Sequence, residues 1–116
     1  MSFEIQSTSP TGRYQLQVDP WEARNSNWVL FPQIADGESG RILFRLSASA
    51  WSAENSAWES DEVVRIDLRK YPGDQPRPCL VVRLNCAQET GRLEGGHAIP
   101  FAALEALLEE ALFSAS

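Results

Sequence analysis

Trp51-Ser-Ala-Glu-Asn55-Ser56-Ala-Trp58 repeats, thirty residues on, the pattern of Trp21-Glu-Ala-Arg-Asn25-Ser26-Asn-Trp28, and in both the tryptophans stand seven residues apart. Each motif is preceded by a Gly-Arg step, Gly12-Arg13 or Gly40-Arg41, and then by a run of alternating polarity. Asn-Ser is turn chemistry, because both side chains can bond to nearby backbone. The repeat therefore reads as two hairpin-like units, 11–34 and 39–69, with Asn25-Ser26 and Asn55-Ser56 at equivalent turns and each tryptophan pair facing across its hairpin. Trp58, beside Glu59-Ser60-Asp61-Glu62, is the indole expected to stay partly exposed.

Outward from these motifs, apolar residues alternate at two-residue spacing in four sets: Tyr14, Leu16, Val18; Ile42, Phe44, Leu46; Val64, Ile66, Leu68; Leu80, Val82, Leu84. Such alternation marks the buried face of half-exposed strands. A short strand around Phe3 and Ile5 and the apolar run Trp28–Phe31 bring the total to about six. The spacers are short and rich in Gly, Pro, Asn and Asp, which suits antiparallel neighbours rather than parallel crossovers. After Pro100 the period changes: Phe101, Leu104, Leu108 and Ala111, with Leu107 and Leu112, form a helical stripe over about 100–113. The expectation is an α+β, mostly β single domain, 1–116, in which an antiparallel meander carries one C-terminal helix on its apolar face.

Composition narrows function by exclusion. A net charge of -6 disfavours phosphate-rich surfaces, since nucleic acids and anionic membranes recruit Lys and Arg. No stretch approaches the roughly 20 apolar residues of a membrane helix, and the N-terminus lacks signal-peptide character, so the expected location is cytoplasmic. Cys79 and Cys86 fall on opposite faces of one predicted strand, roughly 23 Å apart at about 3.3 Å per residue, and read as two free thiols. They lack metal-ligand spacing, and His97, after Gly95-Gly96, stands alone; no metal or cofactor is expected. No nucleophile elbow, phosphate loop or carboxylate pair on one face supports an enzyme.

Two surfaces remain as candidates. The acidic segment Glu54, Trp58, Glu59, Asp61 and Glu62 suits a basic protein partner, the carboxylates steering association and the indole anchoring it. By strand parity Arg41, Arg45, Arg65, Arg69 and Arg83 all fall opposite the apolar set and form an alternative, arginine-bearing face. The expected function is a noncatalytic protein-binding module, in concrete form a small bacterial immunity or inhibitor protein that neutralises a basic toxin or enzyme. A carbohydrate or small-ligand domain using exposed tryptophan is the alternative, with a small enzyme third; an open strand edge would permit homo-oligomers.

Overall fold

The computed structural model describes residues 2–23, 28–71 and 79–113. Among the described residues nine strands form two antiparallel sheets, each in plain sequence order. The first contains β1 (Glu4–Thr8), β2 (Tyr14–Glu22), β3 (Trp28–Asp36) and β4 (Ile42–Arg45). The second contains β5 (Trp51–Trp58), β6 (Val63–Lys70), β7 (Cys79–Asn85), β8 (Thr90–Leu93) and β9 (Ile99–Pro100), and α1 (Phe101–Leu112) follows. The α+β, mostly β architecture with a single C-terminal helix is thus observed, and the meander is cut in two between β4 and β5. β1 leaves one edge of the first sheet open, with Ile5 exposed and a bulge between Ile5 and Ser7 that interrupts its pairing.

Side-chain alternation explains both sheets. Tyr14, Leu16, Ile34 and Phe44 from the first meet Trp51, Ala53, Val64, Ile66, Leu68, Leu80, Val82 and Leu84 from the second in one core. β3 lies against β5, where the Leu30 N–H donates to Ser52 Oγ at 3.0 Å, while α1 covers β7, β8 and β9. Leu104, Leu108 and Leu112 are fully buried there, each contributing about 1.5–3 kcal/mol by leaving water. Gly91 permits the approach: a Cβ at that position would stand 2.6 Å from Leu104 Cδ2 and 3.0 Å from Leu84 Cδ2. Pro100 is the N-cap and offers no side-chain bond; instead the Phe101 N–H donates to the Glu89 carbonyl at 2.9 Å.

The tryptophan motifs do not match each other. Trp51–Trp58 is one continuous strand, so the expected turn at Asn55-Ser56 does not exist; the chain reverses instead at 59–62, where Ser60 Oγ accepts from the Glu62 and Val63 N–H groups. β5 pairs along its whole length with β6 because the eight-residue apolar alternation of β6 requires a partner of that length. In the first motif Glu22 stands opposite Trp28 across a true antiparallel pair, while Asn25-Ser26 lies outside the described residues. Neither tryptophan pair faces itself: Trp21 is opposite Val29, and Trp51 is opposite Lys70. Trp28, at 56% exposure, is the open indole, whereas Trp58 is half-buried and donates Nε1–H to Ser7 Oγ of the other sheet at 3.0 Å.

Candidate functional site

Four turns gather at one end of the molecule and are linked in a closed circuit. The Gly37 N–H donates to the Arg13 carbonyl at 2.6 Å, joining the β3–β4 and β1–β2 turns. Thr11 donates to Asp61 Oδ1 through its N–H at 2.9 Å and its hydroxyl at 2.6 Å, joining β1–β2 to β5–β6. The Cys86 N–H donates to the Glu62 carbonyl at 2.7 Å, and Arg41 reaches Glu89 at 2.9 Å, which completes the ring through β7–β8. Close packing of backbone makes one glycine obligatory, since a Cβ on Gly37 would meet the Gly12 carbonyl at 2.7 Å. Glu89 carries φ +54, the left-handed region that non-glycine residues rarely enter, at the tip beside Thr90.

The ring is acidic. Asp36, Glu38, Asp61, Glu62 and Glu89 face two guanidinium groups, Arg13 and Arg41, a net of -3. The carboxyl of Asp36 is held below its ordinary range by the Glu38 N–H and by Arg13, and that of Asp61 by the Thr11 hydroxyl and N–H. Glu62 is exposed and forms no ion pair among the described residues, and Glu38 reaches Arg13 only at 3.7 Å. On the flank of the ring a pocket of about 350 Å³ opens over the outer face of the second sheet, lined by Glu59, Ser60, Arg83, Asn85, Gln88 and Arg92 among others.

Parity within strands placed the arginines on non-core faces but assigned them to one sheet. The structure divides them: Arg65, Arg69 and Arg83 share the outer face of the second sheet, Arg45 belongs to the first, and Arg41 lies before β4 in the loop ring. Arg65, Arg83 and Arg92 stand opposite one another in a single cross-strand row. Such like-charge neighbours repel, and Arg83 is neutralised by Glu59 at 2.9 Å and Glu94 at 2.6 Å, which raises its already high pKa. Arg69 reaches Glu54 at 3.4 Å, and Arg45 donates to Gln33 Oε1 at 2.8 Å with its guanidinium 5.0 Å from the Phe3 ring centre.

The acidic candidates are likewise separated. Glu54 accepts from Ser52 Oγ at 2.6 Å, Glu59 is bound to Arg83, Asp61 holds Thr11, and Trp58 ties the two sheets together, which leaves Glu62 as the one carboxylate of the group facing solvent without a partner. Glu38 and Glu89 join it at the same end through contacts no linear pattern displays. Glu105 is the other residue missed by sequence reasoning: its carboxylate accepts from Ser47 N–H at 2.8 Å, Ser47 Oγ at 2.9 Å and Ala48 N–H at 3.1 Å, pinning the crossover between the sheets. Helical periodicity places Glu105 off the apolar stripe and gives no hint of these partners.

Neither cysteine is prepared as a nucleophile. Burial, with Glu62 adding to it, pushes the Cys86 thiol up to about 12, and burial also raises Cys79. His97 is exposed, and no group of three His, Cys, Asp or Glu side chains converges as a metal site among the described residues. No protein-family model, curated protein or solved structure matches the chain.

Proposed function

We propose that the protein is a noncatalytic protein-binding module that meets a basic partner through the acidic loop ring. Its concrete form is a small cytoplasmic immunity or inhibitor protein, with a basic toxin or enzyme as the target. The observation that carries this reading is the closed circuit of four turns, which brings five carboxylate-bearing residues together at one end, three of them, Asp36, Asp61 and Glu89, bonded within the ring. A rigid surface loses little freedom on binding, and a clustered charge accelerates encounter with an oppositely charged cleft. Glu38, Glu62 and Glu89 are the steering residues; Asp36 and Asp61 hold the loops in shape and supply charge.

Retention of partners from a lysate of the source cells, followed by mass spectrometry, tests the proposal when the wild type is compared with Glu38→Gln/Glu62→Gln/Glu89→Gln. A basic protein should be held by the wild type, released by salt and lost in the folded triple variant. With that partner purified, the variant should associate about tenfold more slowly and with a flatter salt dependence. For the inhibitor form, the partner's activity should fall on binding. Equal association rates for the two proteins across ionic strengths would refute the loop ring as the docking surface.

A further inference from the structure

We propose that the pocket beside β2 lined by Asp19, Pro20, Trp21, Phe31 and Ser49 is a binding site for an organic ammonium ion, a site separate from the loop ring and independent of it. Asp19 is directly opposite Phe31 in the β2–β3 pairing, and Trp21 follows on the same face. Only 6% of Asp19 is exposed, yet its carboxylate accepts no hydrogen bond and forms no ion pair among the described residues. Asp19 lines the pocket, so a cation entering there would meet its carboxylate beside the phenyl ring and offset the charge. Arg45 is committed to Gln33 and the Phe3 ring, which itself packs on Phe31 with centroids 6.0 Å apart, and does not pair with Asp19.

The walls select the ion. Trp21 is held by donation of its Nε1–H to the Ser49 carbonyl at 3.1 Å, and Phe31 is a buried ring on the opposite strand. Aromatic faces attract cations through the ring quadrupole, and one carboxylate in such a frame completes the charge pairing. A metal ion would need several further ligands, which the lining does not offer, and an anion would meet Asp19. The pocket of about 370 Å³ lies in the size range of small-ligand sites. An alkylammonium with a short apolar stem matches both the apolar walls and the carboxylate, whether it is a free amine or the side chain of a lysine.

The test uses the full chain and n-butylammonium chloride as titrant, followed by the Trp21 indole N–H resonance, which its loss in Trp21→Phe identifies. A saturable shift with a dissociation constant on the order of 1 mM is expected, weakened at least about tenfold in Asp19→Asn and for 1-butanol on the wild type. Absence of a saturable shift, or equal binding of 1-butanol, would overturn the site. The 1-butanol comparison decides even if Asp19→Asn does not fold. N-acetyl-lysine methylamide separates the sources: binding comparable to butylammonium supports a lysine side chain, and binding of butylammonium alone supports a free amine.

Discussion

The segments Trp21–Trp28 and Trp51–Trp58 share spacing and composition but differ in structure, because one is interrupted between strands and the other is a single strand with a bulge. In the first, the tryptophans fall on opposite faces, Trp21 over a pocket and Trp28 toward solvent. In the second, the register of β5 on β6 slips by one residue between Ala53 and Asn55. Seven residues along an unbroken strand would put Trp51 and Trp58 on opposite faces; the extra residue, Glu54, returns both to the side of Val64 and Lys70. Equal spacing in sequence therefore produces opposed indoles in one place and indoles on one face in the other. A bulge, invisible to periodicity, makes the difference.

The largest effect that separates the two segments should come from Trp51→Ala, since this indole is wholly buried: a loss of about 3–5 kcal/mol in chemical denaturation. A loss under about 1 kcal/mol would mean that β5 is not central to the core. Deletion of Glu54 sharpens the contrast further. With the bulge gone, Trp58 turns outward and loses both its packing and its bond to Ser7, a cost of about 2–4 kcal/mol, whereas Glu54→Ala removes a half-exposed ion pair and the hydrogen bond from Ser52 Oγ and should cost about 1 kcal/mol. Equal costs for deletion and substitution would dispose of the bulge argument.

Glu105→Gln tests the crossover that keeps the segments in different sheets. A destabilisation of about 1–2 kcal/mol at neutral pH is expected, because one carboxylate serves three donors. Burial acts to raise the Glu105 pKa, but the donors from Ser47 and Ala48, and the nearby Trp51 indole N–H, outweigh it and hold the group below 4.5. That indole N–H is sealed in the core without a hydrogen bond of full geometry. A depressed folded pKa stabilises above the unfolded value and ceases to do so as the pH falls through the folded one, so the difference between wild type and variant should shrink on acidification to about pH 3. A gap that widened on acidification would contradict the assignment. At the small end, Trp58→Phe should cost about 1 kcal/mol for the Ser7 bond, and Trp28→Ala within about 0.5 kcal/mol, both read from denaturation midpoints. Reversal of that order would exchange the two indoles between interior and surface.

The strands β2, β6 and β7 and the helix were legible in the chain because each buries one face against something apolar, and alternation or a helical stripe records that demand whatever the partner is. Val64, Ile66, Leu68, Leu80, Val82, Leu84, Leu104 and Leu108 are all buried as their spacing requires. The candidate site was legible only in part. Glu62 stands out in the sequence as an acid of a turn, but Glu38 and Glu89 join it through turns far apart in sequence, and alternation places Asp19 only on the face opposite Tyr14, Leu16 and Val18. Its value as a potential cation partner comes from standing beside Phe31 under cover.

Local pattern thus determined β2, β6 and β7 with their buried faces, the C-terminal helix and the acidic balance, because these depend on neighbours one to four residues away. Tertiary structure alone decided that the meander divides between β4 and β5, that the arginines belong to two sheets, and that four turns close into one ring. Those outcomes follow from pairing register and from which sheet covers which half of the core, and a single bulge or crossover changes them without altering the alternation along the chain.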